Sequence, residues 1–251
     1  MKCSALLLLS ISSLFQYSEC FVPTFSKNKA FHLSKSTQLS MGVTLYGSQG
    51  SRSPLVNWGA YELKVPLKMA PDLSSNPHPF RQIPCLVDDD SGATVFESGA
   101  ILLHLLDKAE DSGGLSDADI ASVKSWVVWA NASLDQICFL ETPDGKVYDT
   151  GLKKPNRRIE TLNDLLADNK YLLGDQFSLA DVAVASYLLY VPQFFRDIDL
   201  SRWPNVVRYM KDCASREYYG KAFGENVQQF LIASLESMDG SKKQGMFGGL
   251  F

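Results

Sequence analysis

Short apolar runs alternate with helical spacing across residues 42–108, and this order constrains the fold more than any other feature of the chain. Helical spacing covers Pro54–Leu63 and Ser98–Lys108. The runs of strand character are Val43–Tyr46, Leu67–Met69, Cys85–Val87 and Thr94–Phe96. The turn-forming residues 88–92 join the last two runs into a hairpin, so the predicted order is β-α-β-loop-β-β-α.

The pattern changes after the break at 111–114, beyond which no strand pattern is present. Apolar residues follow helical spacing from Val123 to Ile137. Further helices are predicted over Lys154–Asp168, Leu179–Tyr190 and Pro204–Ala214. We therefore predict an α/β domain of thioredoxin-like order at 42–108, an all-helical domain at 116–235 and a disordered tail at 236–251.

The formal charge of −4 is unevenly distributed. Residues 1–40 carry four lysines and one glutamate, a charge of +3, which leaves −7 on the remainder. An acidic body without a basic run argues against a nucleic-acid partner. Its three cysteines form no CxxC and have no paired histidine spacing, so neither a disulfide framework nor a metal site is predicted.

Residues 1–40 have the composition of a targeting sequence. Lys2 precedes the apolar run Ala5–Phe15, which is too short to span a bilayer, and small residues follow at 18 and 20. No acidic residue occurs from Phe21 to Tyr61, as in organelle transit peptides. We expect a signal peptide followed by a plastid transit peptide, and a mature form without a membrane segment. Secretion into the endomembrane system is the alternative.

The segment Gly47–Pro54 follows the first predicted strand and lies at the positive end of the next helix. It contains serines where dithiol chemistry would need a cysteine pair, so that chemistry is excluded at this position. A serine hydroxyl here can donate a hydrogen bond to a bound thiolate and lower the pKa of the thiol. Alternatively, Ser51 and Ser53 only cap the helix, with Pro54 in its first turn.

Two further segments bear on ligand binding. Ile83–Pro84 precedes a strand, where a cis proline would leave the backbone of Ile83 free to pair with an extended peptide; a trans proline in a loop is the alternative. Glu97 and Ser98 open a helix, where the acid suits an ammonium group and the Ser98 hydroxyl and N–H suit a carboxylate. The alternative for this pair is again a helix cap. A ligand that fits all three features would carry a thiol, an extended peptide backbone and an α-amino-acid end. Glutathione has all three.

The chain resembles the glutathione transferase family through these motifs. Residues 82–86 together with 96–101 are similar to its glutathione-site signature, and 46–52 to the active site of its serine-type members. The resemblance implies Ser51 as thiol activator, with Tyr46, Ser48 and Ser53 as alternatives. It also implies that glutathione is held along its backbone by Gln82, at its cysteinyl portion by Ile83 and Pro84, and at its γ-glutamyl end by Glu97 and Ser98.

The resemblance extends from Val43 to Gly224. Residues 171–181 are similar to a capping segment of the family, in which Ser178 is the N-cap and Asp181 reaches back to it. Residues 126–132 resemble cyanobacterial members in particular. Arg81 departs from the family by standing where a glycine usually turns the chain. No lysine or histidine is evident for the glycine carboxylate of glutathione, which leaves Arg81 and Lys68 as candidates.

The expected function is conjugation of glutathione to a small apolar electrophile, with reduction of organic hydroperoxides as an additional activity left open. Glutathione would be a co-substrate, no cofactor is implied, and the resemblance implies a homodimer. Six aromatic residues either line a pocket for the electrophile or belong to the core, and their spacing does not distinguish the two alternatives. They are Trp126, Trp129, Tyr187, Tyr190, Phe194 and Phe195. The alternative function is a non-catalytic assembly module resembling the N-terminal region of translation elongation factor 1 gamma.

Overall fold

The structure is a computed structural model, and it describes residues 42–110 and 113–239. The predicted signal and transit peptides at 1–40 lie outside the described residues. The same holds for residues 240–251 of the predicted tail.

The N-terminal half is built on one mixed four-stranded sheet. Its strands are β1 (Val43–Tyr46), β2 (Leu67–Met69), β3 (Cys85–Asp88) and β4 (Thr94–Phe96). Their spatial order is β2-β1-β3-β4, with β1 parallel to β2 and antiparallel to β3. The β3–β4 hairpin is antiparallel, as the turn at 88–92 predicts. Leu45 and Leu86 are completely buried, so β1 and β3 form the centre of the sheet.

Two helices complete this half, α1 (Ser53–Glu62) and α2 (Ser98–Lys108). Pro54 lies in the first turn of α1, where its missing N–H costs no helical hydrogen bond. Gly59 lets α1 approach α2 closely, because a Cβ there would lie 2.5 Å from Cδ2 of Leu102. This β-α-β-β-β-α arrangement confirms the thioredoxin-like prediction.

The C-terminal half is mainly helical, as predicted. Its helices are α3 (Asp117–Trp129), α4 (Asp135–Cys138), α5 (Arg157–Leu165), α6 (Leu179–Phe194), α7 (Pro204–Ala214), α8 (Glu217–Phe223) and α9 (Glu225–Met238). The last helix continues to Met238, past residue 235, where we expected the domain to end. In the part of the chain that is described, no helix is long and apolar enough to cross a bilayer.

One detail of the sequence interpretation is wrong: the second half is not free of strands. β5 (Leu140–Glu141) and β6 (Val147–Asp149) form a small antiparallel hairpin between α4 and α5. The turn is closed by Thr142, whose N–H donates to Lys146 O and whose O accepts from Gly145 N–H. Strands of two and three residues are too short to give an alternating pattern, which is why the sequence did not indicate them.

Helix α6 lies at the centre of the molecule and is buried from Leu179 to Pro192. A helix that is apolar on every side is covered on every side, and α6 contacts α1, α3 and α7. Its N-terminus carries the predicted capping box, because Ser178 Oγ accepts from the backbone of the first turn and Asp181 accepts from Ser178 N–H. The helix extends to Phe194, beyond the predicted end at Tyr190, since Pro192 removes only one donor near its last turn.

The two halves are joined by a charged and aromatic contact at the end of α1. Arg216, just before α8, donates from Nε and Nη2 to the two carboxylate oxygens of Glu62, both at 2.7 Å. Trp58 Nε1 also donates to Glu62, at 2.9 Å. The guanidinium of Arg216 lies 3.7 Å from the centre of the Phe177 ring. The ion pair of Arg216 with Glu62 therefore fixes α1 against the helical half, while Trp58 orients the carboxylate and the Phe177 ring supports the guanidinium.

Candidate functional site

The candidate site begins with one row of residues across the sheet. Tyr46 at the end of β1 pairs with Cys85 at the start of β3, which pairs with Phe96 at the end of β4. Neighbouring strands lie about 4.8 Å apart. Hence the chain that leaves Tyr46, the chain that enters Cys85 and the chain that leaves Phe96 all meet at one edge of the sheet. These are the segments that contain the sequence-predicted site residues.

Ser51 lies at that edge, just before α1, and is half-buried. Its Oγ donates to Ser48 O at 2.9 Å, lies 2.7 Å from Ser53 Oγ and accepts from Ser53 N–H at 3.1 Å. Ser53 is only 1% exposed, whereas Ser48 is exposed. The close packing depends on Gly47, where a Cβ would lie 2.1 Å from Ser53 Oγ.

The interpretation that Ser51 and Ser53 cap α1 is only partly confirmed. The N-cap position of α1 is Arg52, which makes no side-chain cap hydrogen bond. Ser51 Oγ accepts a hydrogen bond from the Ser53 N–H, one of the first-turn N–H groups that have no partner within the helix. Ser51 therefore binds the helix start through its lone pairs, while its own hydrogen points to a carbonyl at the half-exposed surface.

The Ile83–Pro84 peptide bond is cis, as anticipated. Ile83 is half-buried, and Gln82 beside it is exposed. The backbone before it is held by Asn76, whose Nδ2 donates to Gln82 O at 2.8 Å. His78 is buried, and its Nδ1 accepts from Phe80 N–H at 3.0 Å. Sequence reasoning treated His78 as an ordinary loop residue and missed this anchoring role.

Arg81 occupies a left-handed conformation, with φ at 56°. This agrees with its position where the family usually has glycine, because residues with a Cβ rarely adopt positive φ. Its side chain is exposed. The other candidate for the glycine carboxylate, Lys68, is ion-paired with Asp89 at 3.3 Å.

Glu97 also has a positive φ, 68°, directly before α2. Such strain in a bulky residue is concentrated at functional sites. The Glu97 side chain is exposed, whereas Ser98 is 3% exposed and is the first residue of α2. Neither caps the helix through its side chain, because the N-cap position at Glu97 makes no such bond. The cap alternative for this pair therefore does not hold.

Asn131 connects this helix start to the helical half. Its Oδ1 accepts from Ser98 Oγ at 3.1 Å and from Tyr187 OH at 2.9 Å, and its Nδ2 donates to Val127 O at 2.9 Å. It lies in a π-helical turn, Ala130–Leu134, between α3 and α4. A Cβ on Gly99 would lie 2.5 Å from Asn131 Nδ2, so the contact requires glycine there. Sequence reasoning missed Asn131.

The helical half faces Ser51 through α6. Tyr190 OH donates to Ser51 O at 3.2 Å, and the guanidinium of Arg52 lies 5.1 Å from the centre of the Tyr187 ring. Arg52 Nη2 donates to Asp135 Oδ1 at 2.5 Å. Burial raises the pKa of Tyr187 to about 12 and that of Tyr190 still further, so both phenols are neutral hydrogen-bond donors near pH 7. Burial also raises the pKa of the Asp135 carboxyl, although Arg52 opposes this rise.

The structure separates four of the six aromatic residues whose role was open. Tyr190 and Phe194 lie on one face of α6, with ring centres 6.2 Å apart, and Phe194 also contacts Phe139 at 5.8 Å. Phe194 is 66% exposed, so this face continues from Ser51 to the surface. Trp126 and Trp129 contact each other elsewhere, in an open surface cavity of about 630 Å³ that Arg157 and Arg158 of α5 also line.

The described cysteines are buried, and none replaces the missing thiol pair. Burial raises the pKa values of Cys85, Cys138 and Cys213, which keeps these thiols protonated and unreactive. Within residues 42–110 and 113–239 no three His, Cys, Asp or Glu side chains form a group that could hold a metal ion.

Family models match both halves of the chain. The glutathione S-transferase N-terminal domain matches residues 43–107, and the glutathione S-transferase C-terminal domain matches residues 115–217. Glutathione S-transferase 3 of Schizosaccharomyces pombe is 29% identical over 208 residues, which cover 69% of this chain and 84% of that protein. A valine–tRNA ligase of Mus musculus is 27% identical over 205 residues, 78% of this chain but only 16% of that protein.

A solved structure supports the same fold. A glutathione transferase family member from Pseudomonas fluorescens, determined with two glutathione bound, superposes with a TM-score of 0.61. It is 19% identical and covers 74% of this chain and 94% of its own. With both domain models matched in order along one chain, this protein belongs to the glutathione S-transferase family.

Proposed function

We propose that the protein conjugates glutathione to small apolar electrophiles, and that Ser51 activates the thiol. The supporting observation is the row Tyr46–Cys85–Phe96, from which the Ser51 segment, the cis Ile83–Pro84 bond and the start of α2 all emerge at one edge of the sheet. An extended tripeptide bound there would have its thiol near Ser51 and its γ-glutamyl end near Ser98.

The chain holds the tripeptide by three kinds of contact in this proposal. The backbone of Ile83 pairs with the cysteinyl residue, with Gln82 alongside. The exposed carboxylate of Glu97 binds the γ-glutamyl ammonium group. The carboxylate of the γ-glutamyl residue is bound by the N–H groups in the first turn of α2, including that of Ser98. The helix dipole favours a negative charge there.

Ser51 stabilises the thiolate by turning its hydroxyl from Ser48 O to the sulfur. Ser48 O then keeps its hydrogen bond from Ser51 N–H, at 3.3 Å. Ser51 Oγ continues to accept from Ser53 N–H and remains 2.7 Å from Ser53 Oγ, and such received bonds make its own hydrogen a stronger donor. A thiol pKa lowered by two units corresponds to about 2.7 kcal/mol and about a hundredfold more thiolate at neutral pH. One charge-assisted hydrogen bond with the α1 dipole is sufficient for this.

The electrophile lies against the aromatic face of α6 in the same proposal. Tyr190 is fixed to the Ser51 backbone by its hydroxyl, and Phe194 continues the apolar surface outward. The thiolate attacks from the Ser51 side, and the proton released from the thiol leaves to solvent. The exposed ring of Phe194 is apolar, so apolar electrophiles fit this face.

The test combines binding and turnover in the purified protein. We expect calorimetry to detect glutathione binding at millimolar concentrations or below. Ser51→Ala should lower kcat/KM about a hundredfold while changing the glutathione Kd less than threefold. Ser48→Ala tests the alternative activator: the Ser48 side chain is exposed, and we expect its removal to leave the rate unchanged. Absence of binding would refute the enzyme proposal, and an unchanged rate in Ser51→Ala would refute the role of Ser51 alone.

A second candidate function is an assembly module without catalysis. It is favoured by the match to 16% of a valine–tRNA ligase, in which a region similar to this chain belongs to a much larger translation enzyme. The same titration separates the two candidates, since an assembly module has no need of a glutathione site. Failure of both binding and turnover, in a protein that is folded by circular dichroism, would favour assembly.

We also propose that the protein is a homodimer, as the resemblance implies. Phe80 is consistent with a subunit contact, because it is 73% exposed on a loop anchored by the buried His78. Sedimentation equilibrium should give twice the chain mass, and Phe80→Ser should shift the equilibrium to monomer. A monomer at all concentrations in the unmodified protein would refute the proposal.

The remaining proposals concern location and a side activity. We propose that residues 1–40 direct the chain to a plastid, because of their apolar run and the acid-free stretch that follows it. A fluorescent protein fused behind residues 1–41 should accumulate in plastids of an algal host, and secretion would support the alternative. Reduction of cumene hydroperoxide by glutathione is the assay for peroxidase activity.

A further inference from the structure

Ser53 is the residue from which the activation of the thiol can be specified further. It is the first residue of α1 and is 1% exposed, so its side chain cannot reach a bound ligand. Its Oγ lies 2.7 Å from the Oγ of Ser51, the proposed thiol activator. We propose that Ser53 is a positioning residue that leaves Ser51 able to donate but not to accept, so that the site stabilises the thiolate of glutathione and not the thiol. This inference rests on the proposed transferase function and deepens the role of Ser51.

The direction of the hydrogen bond between the two hydroxyls follows from their other partners. Ser53 Oγ accepts from Ser48 N–H at 3.2 Å, and that group can only donate. Among the residues that the structure describes, Ser51 Oγ is the only hydrogen-bond acceptor of the Ser53 hydroxyl. The single hydrogen of Ser53 is therefore donated to Ser51. Ser51 donates its own hydrogen to Ser48 O at 2.9 Å, which agrees with this assignment.

These contacts occupy both lone pairs of Ser51 Oγ. A hydroxyl group has two lone pairs and one hydrogen. One lone pair accepts from Ser53 N–H at 3.1 Å, and the other accepts from the Ser53 hydroxyl. When glutathione binds, the hydrogen of Ser51 turns from Ser48 O to the sulfur. No lone pair remains to accept a hydrogen bond from an S–H group, so Ser51 binds the thiolate as a donor and offers the thiol no acceptor.

This selectivity favours ionisation of the bound thiol in two ways. A group that hydrogen-bonds only the charged form shifts the equilibrium toward that form and lowers the pKa. In addition, a hydroxyl that accepts hydrogen bonds becomes a stronger donor, by about 10–30% for each bond in a chain. The chain here runs from Ser48 N–H through the hydroxyls of Ser53 and Ser51. The proton that leaves the thiol goes to solvent, and both serines stay protonated.

The fold itself holds Ser53 against Ser51. Gly47 lies beside it, and a Cβ at Gly47 would overlap both Oγ and Cβ of Ser53. Because Ser53 is buried, solvent does not supply a replacement for its hydroxyl at Ser51 Oγ. The contact between the two serines is therefore present before any ligand binds.

The experiment is a pH titration of the bound thiol in the full-length protein. At saturating glutathione, kcat/KM for 1-chloro-2,4-dinitrobenzene is measured as a function of pH, and the ultraviolet absorbance of the thiolate gives the thiol pKa without an electrophile. We expect Ser53→Ala to raise this pKa by about 0.3–0.6 units. The rate should then fall about two- to fourfold below the pKa and change little above it.

Ser186→Ala is the matched control for this change. Ser186 is also buried, at 0% exposed, and its Oγ has no hydrogen-bond partner within residues 42–110 and 113–239. Loss of a buried serine hydroxyl at this position should leave both the pKa of the bound thiol and the rate unchanged.

Two double variants show whether Ser53 acts through Ser51. In a Ser51→Ala background, Ser53→Ala should not change the thiol pKa further, because the hydroxyl that it orients is absent. Gly47→Ala displaces the Ser53 hydroxyl without removing it, so it should raise the pKa as Ser53→Ala does. The effects of these two changes should not add when they are combined. Melting temperatures and the glutathione Kd of each variant are measured alongside.

The outcomes separate this inference from the proposed function. If Ser53→Ala lowers the rate by the same factor at every pH, Ser53 only supports the fold, and the inference is wrong. It is also wrong if Ser53→Ala raises the pKa equally with and without the Ser51 hydroxyl. If only Ser51→Ala raises the pKa, the role of Ser51 stands and that of Ser53 is refuted. A wild type that binds no glutathione refutes the proposed function and this inference with it.

Discussion

Replacement of Asp181 by asparagine should destabilise the protein strongly, although the two side chains have nearly the same shape. Asp181 is completely buried at the start of α6. Its Oδ1 accepts from Leu172 N–H at 2.9 Å and from Tyr209 OH at 3.2 Å. Its Oδ2 accepts from Ser178 N–H at 2.9 Å and from Ser178 Oγ at 3.3 Å.

An asparagine can replace only one of these two oxygens. Its NH2 group would then face either the Ser178 donors or the donors from Leu172 and Tyr209. Each buried donor left without an acceptor costs about 1–3 kcal/mol. We therefore expect Asp181→Asn to lower the free energy of unfolding by about 3–5 kcal/mol. Tyr209→Phe removes one of the four donors and leaves the carboxylate otherwise paired, so about 1 kcal/mol is expected for it.

The assay is urea unfolding followed by circular dichroism, with Asp168→Asn as the matched control. Asp168 is exposed, so the same chemical change there should stay within about 0.5 kcal/mol. A loss below about 1 kcal/mol in Asp181→Asn would show that the four hydrogen bonds do not stabilise the start of α6. The reasoning would also fail if Tyr209→Phe were as damaging as Asp181→Asn.

The same residue predicts a pH dependence. Burial raises the pKa of the Asp181 carboxyl to about 6, from an ordinary value of 3.8. Between these values the folded protein binds a proton that the unfolded chain does not, so this group stabilises the fold as pH falls and the contribution is lost as pH rises through 6. From pH 7.5 to pH 5 the wild type should gain about 1.4 kcal/mol relative to Asp181→Asn. A constant difference across this range would contradict the raised pKa.

Three other changes are predicted from contacts described above. Arg216→Met should cost about 2–3 kcal/mol in urea unfolding, because it leaves the Glu62 carboxylate, 12% exposed, without its cation. Gly99→Ala should cost about 1–3 kcal/mol and raise the KM for glutathione, because the new Cβ would lie 2.5 Å from Asn131 Nδ2. Arg81→Gly should stabilise the fold by about 0.5–1 kcal/mol, seen as a higher thermal midpoint, because glycine adopts a φ of 56° without strain.

The thioredoxin-like half was accessible from the sequence because its signals are local. The strands are separate apolar runs, Pro54 is suited to the first turn of a helix, and Ile83–Pro84 directly precedes β3. Candidate residues next to such signals, including Ser51, Glu97 and Ser98, could be named from the chain alone. Their proposed roles in binding and catalysis are still predictions.

The connections across the site were not accessible, because they join residues far apart in the chain. Asn131 contacts Ser98 and Tyr187, which lie 33 and 56 positions away. Arg52 and Asp135 are 83 positions apart. The π-helical turn that orients Asn131 keeps the apolar spacing of the surrounding helix, so nothing in the pattern marks it. Local propensity therefore predicted the elements, while tertiary packing decided how the halves connect.

The row Tyr46–Cys85–Phe96 also predicts where this protein tolerates changes of length. The turn at 89–93 joins β3 and β4 at the end of the strands opposite that row, and a residue added there can be absorbed without moving the row. A single residue inserted within β3 would shift its pairing with both neighbours and turn every following side chain to the opposite face of the sheet. The site would then lose all three of its segments at once.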